Sequence, residues 1–275
     1  MRRFRACVFM GRMESFSEDF RARFAGVARL YGSEAFAKLA RARVCLVGLG
    51  GVGSWACEAL ARSGVRDLTL ADMDEIQITN TNRQLHALDG AYGRAKAEAL
   101  AERVRAISPE CAVSVKKIFL TRDSAPAFFS ENRGRFDLVA DAIDGAANKA
   151  ALIAACVAAG TPVVSSGGCA GKRDGTRVEV GDLADAEGDA LLKFVRRELR
   201  SRHGFPKGGA KLGVPVVFSR ELSRGPAPLD SAAFPQLVSP AGGRPRPGTA
   251  AFVTGAFGLA LAQLVVEKII SSNAS

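Results

Sequence analysis

Short apolar runs alternate with amphipathic stretches along the first two-thirds of the chain. Residues 44–47 are uniformly apolar and lead into glycines, the pattern of a parallel strand covered on both faces. Residues 54–63 follow as a helix and 68–70 as the next strand. Residues 94–107 carry Ala, Leu and Val on one face and charges on the other, a helix that Pro109 helps to stop. A strand over 113–118, a buried strand over 136–143 ending in acids, an Ala-rich helix over 148–159 stopped by Gly160, and a strand over 161–166 continue the alternation. After Arg177 the texture changes: a strand over 176–180, a helix over 189–201, a strand over 214–219, then a Pro-, Gly- and Ser-rich loop over 223–248. No internal repeat is visible.

Strands alternating with helices predict an α/β fold, a Rossmann-like doubly wound and mostly parallel sheet with a C-terminal α/β lobe. Ligands of such sheets sit beyond the carboxyl ends of the strands. The chemistry is therefore expected at residues 48–53, 72–83, 141–144 and 165–168, which converge without being adjacent in sequence.

Gly48-Leu49-Gly50-Gly51-Val52-Gly53 satisfies G-x-G-x-x-G between a strand and a helix, where backbone N–H groups and the helix dipole meet phosphate oxygens. Asp72 at the tip of the second strand is placed to bind ribose hydroxyls. These two features alone do not choose between NAD and ATP. The following stretch does: Asp72, Asp74, Asn80, Asn82, Arg83 and Gln84 crowd one short segment. Amides supply donors and acceptors, Arg83 a fixed fork for phosphate. A second carboxylate beside phosphates is tolerable mainly next to a cation such as Mg²⁺. Lys96, opening the next helix, and Asp144, closing the fourth strand beside Asp141, complete the set, with Asp144 as the metal candidate. The bland alternative is a solvated polar loop and a solvated lysine.

Taken together, Gly48–Gly53, ADMD, TNTNRQ, GRAK and DAID resemble the superfamily of ubiquitin-activating, ThiF, MoeB and HesA proteins over residues 24–168. Within it, RFAGVARLYG, NTNRQLHAL, KLGVPVVFS and VTGAFG resemble the tRNA threonylcarbamoyladenosine dehydratase family, over nearly the whole chain beyond Met13. The resemblance implies ATP and Mg²⁺ as cofactors and adenylation of a threonyl carboxylate in tRNA, next to the anticodon. Gly50, Gly51 and Asp72 would hold adenosine and ribose. Asn80, Arg83 and Lys96 would hold the triphosphate and Asp144 the metal, with Gly48, Gly53, Asp74 and Asn82 as further nucleotide-binding candidates. An N-terminal arginine, Arg23 or its neighbour Arg29, would reach the partner subunit's nucleotide, which implies a homodimer. The family also leaves open a monovalent cation in the lobe and a cysteine-desulfurase or sulfur-acceptor partner, neither with an assigned residue.

Three other readings remain at this stage. A MoeB- or ThiF-type adenylating enzyme for a small ubiquitin-like sulfur carrier uses the same ATP residues. An NAD-dependent oxidoreductase explains the glycines and Asp72 but leaves Arg83, Lys96 and Asp144 unused. A non-enzymatic RNA-binding module needs none of them.

Charge sharpens the choice. With 38 Lys and Arg against 28 Asp and Glu the chain carries +10, which favours a polyanionic partner. Lys193, Arg196, Arg197, Arg200, Arg202, Lys207 and Lys211 stand against Glu198 alone, a tRNA-backbone patch or else a solvated helix face. His203 and Phe205 are candidates to stack on a splayed base; DNA is not expected as a partner. Six cysteines fall singly, with no C-x-x-C pair, so no zinc site is expected and a reducing, cytoplasmic setting is. Cys169, beside Gly167 and Gly168, reads as a small core residue rather than a nucleophile.

The domain organisation expected is residues 1–22 as a disordered tail or an extension ahead of a true start at Met13, 23–175 as the ATP-binding domain, and 176–275 as the basic lobe and closing helix of the same unit. The uncharged stretch 248–266 is long enough to span a bilayer. Its three glycines, two threonines and a glutamine favour a buried closing helix.

Overall fold

The computed structural model describes residues 16–228, 230, 233 and 247–272; the expectations for residues 1–15 and most of the loop before Gly248 lie outside these. The apolar runs form strands β1 (Arg43–Val47), β2 (Asp67–Ala71), β3 (Ala112–Lys116), β4 (Leu138–Asp141), β5 (Val163–Ser166), β6 (Glu179–Asp182) and β7 (Pro215–Phe218). They make one sheet ordered β3-β2-β1-β4-β5-β7-β6, parallel except for β6. The order changes direction between β1 and β4, the crevice where doubly wound sheets bind ligands. Since β7 pairs with β5, the residues expected as a lobe extend the same sheet.

The helices are α1 (Glu18–Tyr31), α2 (Ser33–Arg41), α3 (Gly53–Arg62), α4 (Lys96–Ile107), α5 (Ser124–Glu131), α6 (Ala146–Ala158), α7 (Ala190–Arg202) and α8 (Ala251–Ser271). Successive β1 residues feed opposite faces of the sheet. Val44 and Leu46 join Leu60, Leu100, Phe257 and Leu261 in one core, while Cys45 and Val47 join Val139, Leu152 and Val195 in the other. A continuously apolar strand is the sequence trace of that double burial.

Three helices go beyond the sequence reading. In α1, Phe16, Phe20 and Phe24 recur every fourth residue and pack with Phe36 of α2 in a separate aromatic cluster. Ser17 caps α1 by accepting the Phe20 N–H at 3.0 Å. A boundary after residue 22 therefore falls inside a helix. The short α5 is the third. Strand limits shift too: β4 stops at Asp141, whose side chain accepts the Ile143 N–H, and β6 starts only at Glu179 because Asp174 and Thr176 form a turn.

The long apolar stretch is α8. Val253, Phe257, Leu261 and Val265 are fully buried against the sheet and α3. A Cβ at Gly258 would lie 2.5 Å from the Val52 carbonyl oxygen, so glycine there lets two helix backbones meet.

Candidate active site

The glycine turn leaves β1 with Gly48 at φ +83°, a conformation only glycine adopts cheaply. A Cβ at Gly53 would overlap the Gly48 carbonyl oxygen, so the chain reverses into α3 with no room for a side chain. No side chain caps α3, whose N-terminus follows the glycine turn at this crevice, the place where such helices receive anions.

Asp72 leaves β2 beside this turn. Its Oδ2 accepts the Leu49 N–H at 2.6 Å and its Oδ1 the Asp74 N–H at 2.8 Å. Burial raises its pKa above the usual carboxylate value, partly offset by those two N–H groups and by the Lys96 charge. The carboxylate thus fixes the turn and keeps lone pairs for hydroxyl donors.

The polar segment after β2 folds tightly. Asn80 is buried, its Oδ1 accepting the Gln77 N–H at 3.0 Å. Asn82 Nδ2 donates to the Thr249 carbonyl at 2.9 Å, tying the segment to the start of α8. Arg83 Nη1 donates to Thr79 O at 2.9 Å and to Asn82 Oδ1 at 2.8 Å, while its own carbonyl accepts Trp55 Nε1 at 3.1 Å. Both side-chain acceptors of the guanidinium are neutral, so its charge is not cancelled locally. Lys96 is buried, with its ammonium 2.7 Å from Asp74 Oδ2.

The two acids after β4 part company. Asp141 is fully buried, 2.8 Å from Lys149 Nζ and 2.7 Å from Ser165 Oγ, and it shapes the next turn through the Ile143 N–H. Paired in this way, its charge is held inside the fold. Asp144 is exposed, just ahead of α6 at the same carboxyl edge as the glycine turn.

A glycine turn, the N–H-braced Asp72, a neutral-bound arginine, a buried lysine paired with exposed Asp74, and exposed Asp144 thus lie at the strand edge where the order reverses. The ThiF family model matches residues 23–271. The tRNA threonylcarbamoyladenosine dehydratase of Escherichia coli K12 is 43% identical over 266 residues, spanning 94% of this chain and 97% of that enzyme. The enzyme of the same name from Haemophilus influenzae is 37% identical over 257 residues, spanning 93% of this chain and 96% of that one. The crystal structure of the E. coli dehydratase in complex with ATP superposes with a TM-score of 0.80 at 42% identity, over 93% of this chain and 96% of that one. The chain belongs to the ThiF family, among the tRNA threonylcarbamoyladenosine dehydratases.

Arg23 stands apart from this crevice within its own chain. Its guanidinium pairs with Asp19 at 2.7 Å and reaches the carbonyl of Ile107, at the opposite edge of the sheet where β3 begins. The basic patch is also uneven. Arg196 donates to the carbonyls of Leu183 and Ala186, at 3.2 and 2.6 Å, so its guanidinium is engaged inside the fold. Arg200 bonds the Pro206 carbonyl, Arg202 pairs with Glu198 and Lys211 with Asp185. Lys193, Arg197 and Lys207 form no ion pair among the described residues. Phe205 packs partly into the core rather than outward.

Sequence reasoning counted Gln84 in the polar cluster but gave no role to Thr254 or His86. Thr254 of α8 lies over Gly51, where a Cβ would come within 3.1 Å of its methyl group, and its hydroxyl points to the Arg83 carbonyl. Gln84 and His86 are buried beside them. Gln84 Oε1 and both ring nitrogens of His86 have no hydrogen-bond partner among the described residues. Burial, then the Lys96 charge, lowers the His86 pKa to about 4, so the ring is neutral at physiological pH. Cys169 is buried, and burial followed by the Asp189 charge pushes its thiol up to about 12, which removes it as a nucleophile.

Proposed function

We propose that this protein adenylates the threonyl carboxylate of threonylcarbamoyladenosine in tRNA and releases the cyclised, dehydrated nucleoside. The observation that carries the reading is the meeting of Arg83, Lys96 and Asp144 with the glycine turn at one strand edge. A nicotinamide enzyme has no use for that set. The reading that separates a dehydratase from a sulfur-carrier adenylating enzyme lies in residues 176–275, and the resemblance to dehydratases runs through them.

The glycine turn and the start of α3 receive phosphate oxygens, and Asp72 accepts from the ribose hydroxyls. Arg83 exchanges Thr79 and Asn82 for phosphate, and Lys96 turns from Asp74 to the same group. Two exposed carboxylates, Asp74 and Asp144, suit Mg²⁺, which takes one or two carboxylates and completes its shell with phosphate and water. Asp144, with Asp74 nearby, would hold that ion, which offsets charge on the phosphates when bound.

The substrate carboxylate attacks the α-phosphorus and pyrophosphate departs. A nitrogen or oxygen of the same modification then attacks the acyl carbon, AMP leaves, and a ring closes with net loss of one water. Proximity within the nucleoside replaces a protein nucleophile, consistent with buried, protonated cysteines. Arg83 and Lys96 stabilise the charge gained by the departing pyrophosphate.

In this reading the protein works as a homodimer in the cytoplasm, with Arg23 crossing to the partner's nucleotide. In the lobe, the cation facing the carbonyls of Ser219 and Glu221 is the Lys172 ammonium, at 2.9 and 2.7 Å, so a monovalent ion has no need of those two oxygens. A sulfur-transfer partner has no residue assigned to it.

Incubation with ATP, Mg²⁺ and modified tRNA should yield AMP, pyrophosphate and a nucleoside lighter by one water. Arg83→Ala and Asp144→Ala should each lower kcat/KM by roughly a hundredfold or more. An unchanged nucleoside mass, from protein shown to bind ATP, would overturn the assignment.

A further inference from the structure

Helices α5, α6 and α7 lie side by side on one face of the sheet, with α6 packed against both neighbours. All three begin at the carboxyl edge. α5 follows the loop leaving β3, α6 follows the turn carrying Asp144, and the α7 cap Asp189 accepts the N–H of Gly168, just past β5, at 2.9 Å. Arg122 Nη2 reaches Glu198 Oε2 at 3.2 Å and so fastens the loop before α5 to α7 across α6.

Two aromatic rings stand out of this edge. Phe119, in the loop before α5, is 58% exposed, and Phe194, in the second turn of α7, is 56% exposed. Their neighbours Leu120 and Val195 are the residues that fill the core, so the rings point to solvent by the geometry of loop and helix. Phe119 precedes α5 and Phe194 lies in α7, the two helices packed on either side of α6, which itself follows Asp144. Their setting is cationic: Lys193 and Arg197 are exposed beside Phe194 with no ion pair among the described residues. The one acid of that helix, Glu198, is neutralised by Arg122 and Arg202, each at 3.2 Å. Of the other acids at this edge, Asp74 is paired with Lys96 and Glu187 with Arg220, Asp72 is braced by backbone N–H groups, and Asp123 and Asp144 complete the set.

We propose that Phe119 and Phe194 stack unpaired nucleotides of the tRNA on the two sides of the modified adenosine, while Lys193 and Arg197 hold phosphates between them. This rests on the proposed function and adds the surface that presents the substrate. Rings interleaved with cations are what a single strand requires, since every base has a face to stack and every linkage a charge. A protein partner would gain little from the unneutralised Lys193 and Arg197. The carboxylate to be activated is then delivered to the crevice by its neighbours in the loop.

The test uses the full-length protein and an anticodon stem-loop RNA bearing threonylcarbamoyladenosine. Phe119→Ala and Phe194→Ala should each raise the RNA Kd and KM by roughly five- to a hundredfold, with the KM for ATP unchanged. Phe194→Trp should retain near-native affinity, since it keeps the stacking face. Lys193→Ala and Arg197→Ala should each flatten the salt dependence, by about 0.7 in the slope of log Kd against log salt. Native RNA affinity in the Phe119→Ala/Phe194→Ala double variant overturns the platform. So does a change in its sedimentation with RNA affinity intact, which would make this face a protein interface. If the wild type binds ATP but never converts the RNA, the proposed function fails instead. RNA affinity measured without turnover then still decides the platform on the same criterion.

Discussion

His86 shows how one side chain near the phosphate-binding segment shapes the protein's response to acid. Its ring is buried, without a hydrogen-bond partner among the described residues, and close enough to Lys96 to feel its charge. Folding holds its pKa near 4, against 6.5 for a solvated ring. Between those values the unfolded chain binds a proton that the folded chain refuses, so stability falls as pH drops. The loss begins as pH passes below 6.5 and is complete near 4, reaching about 3 kcal/mol. Chemical denaturation of wild type and His86→Phe at pH 7 and at pH 5 measures it. The variant should lose less stability on acidification; parallel losses in both would show that the ring titrates alike in folded and unfolded protein. Type and spacing alone placed other candidates in the crevice region: Asp72 follows the end of β2, Lys96 opens α4, and Arg83 lies in the polar turn between them. The sequence singled out Asp144 as the metal candidate but not what becomes of Asp141. Its burial shows only in the fold, where Lys149 and Ser165, from other elements, claim it.

At the scale of elements, the crevice is closed by a helix 200 residues further along the chain from the glycine turn. α8 approaches α3 at Gly258, where an added Cβ would meet the Val52 carbonyl oxygen at 2.5 Å and the Trp55 Cβ at 2.7 Å. At Gly255, one turn earlier, the nearest atoms to such a Cβ are Trp55 ring carbons at 3.8 Å. Gly258→Ala must therefore push two backbones apart, costing about 1–3 kcal/mol. It should also raise the KM for ATP, since Thr254 and the Asn82–Thr249 bond hold the phosphate segment through α8. Gly255→Ala adds helix propensity and an ordinary van der Waals contact with Trp55, and should be neutral or stabilising by up to about 1 kcal/mol. Thermal melts with ATP titrations compare the two, and equal effects would contradict the close approach. The sheet was legible because buried parallel strands are continuous apolar runs bounded by glycine and acids, as at Val44–Val47. α5 was hidden because Pro126 and a weak amphipathic pattern gave no period to follow, and α2 because it is short. The contact between α8 and the glycine turn left no trace in either segment, since close approach is a property of the pair. The VTGAFG stretch carried it only as a resemblance.

For the whole molecule, the decisive asymmetry lies between the two edges of the sheet. The residues proposed to bind phosphate occupy the carboxyl edge, while Arg23 is anchored at the amino edge by Asp19 and the Ile107 carbonyl. No side chain spans that distance, about 15 Å along a five-residue strand, so Arg23 can serve a nucleotide only on a second copy of the chain. In the proposed homodimer, two-fold symmetry would give two sites, each completed by the partner. Arg23→Ala and Asp144→Ala homodimers should both be nearly inactive, one lacking the donated arginine and the other the metal carboxylate. Mixing and reannealing them generates heterodimers in which the Arg23→Ala chain keeps Asp144 and receives Arg23 from its partner. One site in each heterodimer is then complete, and random exchange should restore roughly a quarter of wild-type activity. Sedimentation of the same mixture confirms that exchange has occurred. Exchange without recovery would assign Arg23 to the ion pair with Asp19 alone and leave each crevice to work with the residues of its own chain.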